Sequence, residues 1–447
     1  MHLYHFKELK ILLDVNSGAI HLLDELGFKI VQNLIKYQGD LYRAVEAFSN
    51  EYPEEELMEA AYELLGLWED GAVFTEKEEG LSSLLSTLTI KALCLNVAHL
   101  CNMKCTYCFA GQGEFNTKKG LMSVEVGKKS IDFLIAKSEG HRQLEVDFFG
   151  GEPLLNIEVV KQIVDYAKTR GKETGRQFNF TLTTNAVLLT DEIMDFINDN
   201  DIGIILSLDG RPEINDRNRL LNNGAGSYDI ILPNITKAIA SNPVSYYVRG
   251  TFTRDNHNFS LDVQHMAEQG IESLSMEPAV GEDNEFSIRR EDLPWVLAEY
   301  EKLTELLLSY VKKEKKIDFF HFNLDLQKGP CLAKRISGCG AGTEYLVITP
   351  EGDIYPCHRF VGEKQFFMGN LDDEKISAEI QELFKTNHLE NKAECVKCWA
   401  RYFCGGGCHA NNYYRNQDIV KPDEISCEMQ KKRIEAAIYL DIHKSLL

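Results

Sequence analysis

Between residues 91 and 315 the chain repeats one pattern six times: a short apolar run, then a longer stretch with helical spacing. The runs are "KALCLNV", "LEVDFFG", "FNFTLTT", "GIILSLD", "VSYYVRGTF" and "IESLSMEP". A helix between two strands returns the chain to the end where it started. Six such units therefore predict an α/β fold with a parallel sheet, open or curved into a partial barrel. In such sheets ligands gather at the carboxyl ends of the strands. Here those ends carry a cysteine loop at 101–108, "GGEP" at 150–153, "TTN" at 183–185, "SLDG" at 207–210 and "RGT" at 249–251. Their common end of the sheet predicts a single site.

The flanks differ from this core. Residues 1–75 begin with two apolar runs, "LKILLDV" and "AIHLL", separated by the turn signal "NSG", which predicts a hairpin. Phe28, Val31, Leu34 and Ile35 follow at helical spacing behind Asp24, a candidate N-cap. Two further helical stretches end the module, the last with Pro53 near its first turn. Strands followed by three helices predict a winged-helix-like unit. Residues 76–90 read as a linker, and residues 316–447 as a cysteine-rich extension ending in a helix.

Charge and hydropathy exclude several roles. Lys and Arg total 48 against 69 Asp and Glu, a net charge of −21. Nucleic-acid binding relies on clustered cations, so a nucleic-acid partner is not expected. No run approaches the roughly 18 apolar residues of a membrane span, and the start lacks a signal-peptide h-region. A cytoplasmic location is expected. There, twelve cysteines point to metal binding or chemistry rather than disulfides.

The cysteines are grouped. Cys94 stands alone inside an apolar run and reads as a core thiol. Cys101, Cys105 and Cys108 crowd one loop; none follows until Cys331, Cys339, Cys357, Cys395, Cys398, Cys404, Cys408 and Cys427. Clustered thiolates select zinc or iron–sulfur clusters. A structural zinc site wants four ligands, and the first loop offers three plus His99, a polar residue at a strand end. Three thiolates suit a four-iron cube with one open corner.

The Cys-x3-Cys-x2-Cys loop, with "FFGGEP" and "SLDG" downstream, resembles the radical S-adenosylmethionine (SAM) enzymes. The resemblance implies that Cys101, Cys105 and Cys108 hold a catalytic [4Fe-4S] cluster whose free iron is chelated by the amine and carboxylate of SAM. It implies that Gly150 and Gly151 let the backbone approach the methionine part. Glu152 would accept from its ammonium. Tyr107 would lie near adenine, Ser207 and Asp209 near the ribose or carboxylate, and Asn185 at the third strand end. Arg249 either contacts SAM or pairs with an acid.

The later cysteines resemble the seven-cysteine SPASM extension of these enzymes, which carries two auxiliary [4Fe-4S] clusters. That implies an outer cluster on Cys395, Cys398, Cys404 and Cys427, and an inner one on Cys339, Cys357 and Cys408. Cys331 is the candidate fourth inner ligand, permanent or exchangeable. His358 and His409 adjoin cysteines but are not needed as ligands, and they read as supporting or surface residues.

Taken with the opening "LLDVNSGAIHLLDEL", the whole pattern resembles the maturases of SCIFF peptides, Cys-rich ribosomal products. The resemblance implies three [4Fe-4S] clusters, SAM, a leader-bearing Cys-rich precursor peptide and a low-potential donor of ferredoxin or flavodoxin type. It implies a thioether from a peptide Cys sulfur to a carbon of another residue. Formylglycine formation and epimerisation are the alternative modifications. The N-terminal module would hold the leader as an added strand beside the helix at 24–37, or serve only in packing or dimerisation.

Overall fold

A computed structural model describes residues 1–77, 80, 88–279, 284–324, 326, 336–373 and 375–446. Cys331 and part of the expected linker, 78–79 and 81–87, lie outside these residues. Three strands, not two, open the chain: β1 (His2–Phe6), β2 (Leu9–Leu13) and β3 (Ile20–Leu23) form an antiparallel sheet in that order. The sequence predicts only β2 and β3. β1 mixes His, Tyr and Phe without clean alternation and is a strand because β2 pairs with it throughout, from His2–Leu13 to Phe6–Leu9. Asp24 does cap α1 (Glu25–Lys36), accepting from the Gly27 amide at 2.7 Å. Helices α2 (Leu41–Glu46) and α3 (Glu54–Glu69) follow, with Pro53 at the N-cap of α3 rather than within its first turn.

This module is covered on both faces. Leu12, Ile30, Val31, Leu34, Leu57 and Leu64 form its own core. Tyr4, Phe6, Ile11 and Leu13 point the other way, into the main core of the chain. The His2 ring stacks on Trp399 with centroids 3.7 Å apart, and the Tyr439 hydroxyl donates to Glu8 Oε1 at 2.9 Å. The module is thereby clamped to the far end of the sequence.

The six expected strands are present: β4 (Ala92–Ala98), β5 (Gln143–Gly150), β6 (Gln177–Thr184), β7 (Ile202–Ser207), β8 (Tyr246–Phe252) and β9 (Ser273–Pro278). They pair in parallel in sequence order, with helices between them. Every residue of β4 is buried, as a strand covered on both faces requires. The sheet does not stop at six. β10 (Asp318–Phe319) adds beside β9, and β11 (Tyr345–Ile348) pairs in parallel with β4. β11 forms a hairpin with β12 (Asp353–Tyr355), and β13 (Gly369–Asn370) completes a ten-stranded sheet. The cysteine-rich extension therefore continues the barrel sheet instead of sitting beside it. The C-terminal helix, Glu424–Leu446, lies against the helix Leu293–Lys312, where Arg433 Nε donates to the Tyr300 hydroxyl at 2.8 Å.

Candidate active site

The cysteine loop leaves the end of β4 and is pinned from outside. The Lys104 amide donates to the Leu220 carbonyl at 2.7 Å and the Thr106 amide to the Asn218 carbonyl at 2.9 Å. Cys101, Cys105 and Cys108 all line one cavity of about 240 Å³ at the carboxyl ends of the strands. Burial pushes the Cys101 thiol up to about 12 and the Cys105 thiol to about 11. Desolvated thiols of this kind resist ionising until a cation takes their charge. His99 is fully buried and satisfied, with Nδ1 2.8 Å from Thr117 Oγ1 and Nε2 3.2 Å from Asn96 Nδ2, and burial lowers it to about 4. It supports the loop.

The "GGEP" segment crosses directly behind that loop. A Cβ on Gly150 would strike the Ala98 carbonyl, and one on Gly151 the Leu100 carbonyl. Gly150 also sits at φ +130°. The glycines line the cavity, yet what excludes a side chain at either position is the backbone of the cysteine loop, not room for a ligand. Glu152 is fully buried. It accepts from the Leu154 amide (3.0 Å), Thr184 Oγ1 (2.8 Å) and the Asn185 amide (2.8 Å). Burial nevertheless raises it to about 6. Asn185 Nδ2 donates to Asn102 Oδ1 at 2.8 Å and lies 3.8 Å from Cys101 Sγ, tying the third strand end to the first.

Ser207 and Tyr107 line the cavity, but Asp209 does not. Asp209 is buried behind the wall, where it accepts from the Tyr107 hydroxyl at 2.7 Å and the Thr251 amide at 2.9 Å. Burial raises it to about 6. Its place is that of a brace between the cysteine loop and β8. The residue that sequence reasoning missed here is Arg219, 6% exposed and lining the cavity, with Nη1 3.3 Å from the Tyr107 oxygen. Burial works against its charge, but Tyr107, Cys105 and Asp209 hold it firmly protonated. Its Nε is buried without a hydrogen-bond partner. Arg219 caps the short helix Pro212–Asn218 that follows "SLDG", away from any strand end, so no strand-end rule points to it.

Two more cysteine groups face two further cavities. Cys395, Cys398, Cys404 and Cys427 line one of about 460 Å³. Cys339, Cys357 and Cys408 line another of about 760 Å³, which Cys404 and Cys427 also reach. The Cys427 thiol feels Cys404, Cys395 and Cys398, while Cys357 feels Cys408 and Cys339. By these influences Cys427 groups with Cys395, Cys398 and Cys404, and Cys357 with Cys339 and Cys408. Burial raises Cys357 and Cys427 to about 12 and Cys395 to about 11. Among the described residues, no three His, Cys, Asp or Glu side chains approach closely enough to hold a single metal ion. Thiols gathered around a cavity suit an iron–sulfur cluster. His409 is buried rather than at the surface, 2.8 Å from Asn387.

The first cavity and the inner chamber share one wall. Arg249, Glu277, Pro278, His358 and Arg359 line both. Glu277, at the end of β9, has Oε1 3.0 Å from His321 Nε2 and Oε2 3.8 Å from Arg433 Nη2. Burial alone would raise Glu277, but His321, Arg433 and Arg249 hold it well below the usual carboxylate range. Arg249 thus lines the first cavity and also bears on an acid. Glu277 ends the run "SLSMEP", and the rule that singled out the other strand ends could have found it.

On a N-terminal edge distant from these cavities, a groove of about 1260 Å³ runs between β3 and α3. β3 has no strand on its outer side among the described residues. Its other walls are α3, through Glu56, Glu59 and Glu63, and the end of the C-terminal helix, through Asp441, Ile442 and Ser445, while only the N-terminal turn of α1 takes part.

Residues 95–253 match the Radical SAM superfamily, and residues 339–399 match SPASM, an iron–sulfur cluster-binding domain. An uncharacterized protein of Methanocaldococcus jannaschii is 36% identical over 138 residues, 31% of this chain and 45% of that protein. The chain thus spans under half of that relative. The cysteine-type anaerobic sulfatase-maturating enzyme of Clostridium novyi is 26% identical over 366 residues, 76% of this chain and 92% of that one. Among solved structures, anSMEcpe with bound AdoMet superposes with TM-score 0.67 at 20% identity, over 80% of this chain and 100% of that one. Streptococcus suis SuiB bound to its precursor peptide SuiA gives TM-score 0.56 at 16% identity, over 95% of this chain and 99% of that one. No helix among the described residues is long and apolar enough to cross a membrane.

Proposed function

We propose that this chain, a radical SAM enzyme with a SPASM iron–sulfur domain, joins a Cys sulfur to a carbon of another residue in a ribosomally made, leader-bearing, Cys-rich peptide. One observation carries this reading: the first cavity and the inner cysteine chamber share Arg249, Glu277, Pro278, His358 and Arg359 as a common wall. A peptide side chain lying across that wall meets both compartments. Bound in them, SAM and the clusters supply hydrogen-atom abstraction and an acceptor for the surplus electron. Overall the peptide loses two hydrogens, one from the acceptor carbon and one from the thiol.

The residues present fit those groups. Three thiols around one cavity leave an open corner for SAM. Glu152, at the cavity wall, accepts from the SAM ammonium. The orphaned Nε of Arg219 suits its carboxylate. Tyr107 is held in place by Asp209, which leaves its ring free to cover the base. Asn185 keeps the Cys101 side of the loop in register. In the inner chamber, the thiols of Cys339, Cys357 and Cys408 fit a cube, with Cys331 as the remaining candidate ligand.

The Glu152 assignment makes a pH prediction. A carboxyl raised to about 6 is protonated below that value and then loses the charge that pairs it with an ammonium. SAM binding should be flat above pH 7 and weaken about tenfold per unit below pH 6, following the ionised fraction. Equilibrium dialysis of the reconstituted protein checks it. Glu152→Gln should bind weakly at every pH and show no such break.

The groove beside β3 supports leader binding by strand addition. Its α3 wall presents Glu56, Glu59 and Glu63, all exposed, which favour a basic leader. Exposed ion pairs contribute about 0.2–1 kcal/mol each. Changing all three to Lys should weaken leader-peptide binding about tenfold or more, while SAM cleavage without peptide stays at its original rate. Fluorescence anisotropy with a labelled leader measures the first quantity. Unchanged affinity would place the leader elsewhere.

A second reading is formylglycine formation, favoured by the match over 92% of the C. novyi sulfatase-maturating enzyme. The likeness to SuiB runs over 95% of this chain, N-terminal module included, which weighs toward a leader-bearing peptide. Mass spectrometry after anaerobic reaction with SAM and a low-potential reductant of ferredoxin or flavodoxin type separates the two. A thioether removes two hydrogens and one alkylatable thiol and keeps every sulfur. Formylglycine loses the sulfur itself.

A further inference from the structure

Lys392 is among the largest fully buried side chains, 1% exposed. Its Nζ donates to the Gly406 carbonyl at 2.8 Å, and no carboxylate pairs with it among the described residues. One carbonyl does not balance a buried ammonium, whose desolvation far exceeds the return from a single hydrogen bond. Burial works against its charge and lowers it, and the groups that favour the charge are the thiols of Cys395, Cys404, Cys408 and Cys339. The first two belong to the outer set and the last two to the inner set.

The local backbone is built around this ammonium. Gly405, Gly406 and Gly407 fill the interval between Cys404 and Cys408, all at positive φ (71°, 91° and 76°). That left-handed run turns the Gly406 carbonyl onto Nζ, and a Cβ at Gly406 would come within 3.3 Å of it. The Lys392 carbonyl accepts from the Cys395 amide at 2.9 Å, fixing its own backbone beside the outer set. A lysine held this firmly, with no anion supplied by the described fold, marks where negative charge arrives on loading.

We propose that Lys392 is the shared counter-ion of the two auxiliary clusters, a positioning residue whose fixed charge sets both reduction potentials together. A cube on four thiolates is anionic, and its potential responds to nearby charge in a low dielectric. A cation between two cubes favours the reduced state of each. An electron deposited on the inner cluster then meets an outer cluster raised by the same charge, and onward transfer is not blocked by a mismatch. The inference rests on the reading that these thiols hold two clusters.

The test is Lys392→Met beside Lys392→Arg in the full, anaerobically reconstituted chain. Iron content and EPR-monitored redox titration are the readouts. Wild-type iron near four, instead of about twelve, would overturn the cluster reading itself. With that reading intact, Lys392→Met should keep its iron, and both auxiliary signals should move to lower potential while the SAM-bound cluster stays put. Lys392→Arg should titrate close to wild type. Loss of auxiliary iron in Lys392→Met, with retention in Lys392→Arg, also supports a required charge. Unmoved potentials, a shift in only one auxiliary cluster, or equal iron loss in both variants would overturn the shared counter-ion.

Discussion

Replacing Cys101, Cys105 and Cys108 together with Ala is expected to abolish SAM cleavage and lower the iron content from about twelve atoms to about eight. All three thiols line the first cavity, and among the described residues no auxiliary-set cysteine lines it. The loop itself should survive the change. Its fold is held by backbone hydrogen bonds from Lys104 and Thr106 and by the glycine crossing behind it, which the substitutions leave in place. Iron analysis and chromatographic detection of 5′-deoxyadenosine are sufficient. Continued production of that nucleoside would move the radical centre elsewhere in the chain.

The second large effect is expected at Cys357. Cys357→Ala should remove cross-linked product by a factor of about 10³ or more while SAM cleavage continues unproductively. Cys357 lines the inner chamber, and its neighbour His358 lines the wall shared with the first cavity. Losing this ligand should dismantle the inner cube, and with it the acceptor for the surplus electron, at a point where SAM has already been cleaved. The ratio of 5′-deoxyadenosine to modified peptide reads this uncoupling directly. A variant that forms product at the original ratio would show that the inner set has no part in bond formation. Cys331→Ala, measured beside it, tests whether an exchangeable position exists.

Much of this site was legible because its parts are local. A strand followed at once by a polar loop is visible in a window of ten residues, and β4 to β9 with their end motifs are of that kind. What escaped depends on contacts distant in sequence. β1 carries no periodic signal and exists through its pairing with β2 and its burial in the main core. Arg219 matters because the end of the helix after "SLDG" docks on the cysteine loop, through Asn218 and Leu220. Asp209 stands at a strand end in sequence but sits behind the cavity wall, bonded to Tyr107 and Thr251, since only tertiary placement tells a cavity wall from the layer behind it. The glycines of "GGEP" were recognisable, but the reason no side chain fits there is the loop crossing them. The groove wall was expected from α1 because it adjoins the hairpin in sequence, yet packing brings α3 to the edge.

The pairing of β11 with β4 reaches beyond catalysis to how the chain is made. Tyr345 pairs with Ala92, an offset of 345 − 92 = 253 residues. At roughly 5–20 residues per second, a ribosome needs about 10–50 s to deliver that partner. Until then one side of β4 presents unpaired amides and carbonyls from an apolar strand, the kind of edge that recruits other chains. Cutting the gene after residue 315 would make the exposure permanent. A barrel fragment expressed alone is therefore expected to aggregate, and complementation by a separately expressed 316–447 fragment should rescue its solubility only when both are present during synthesis.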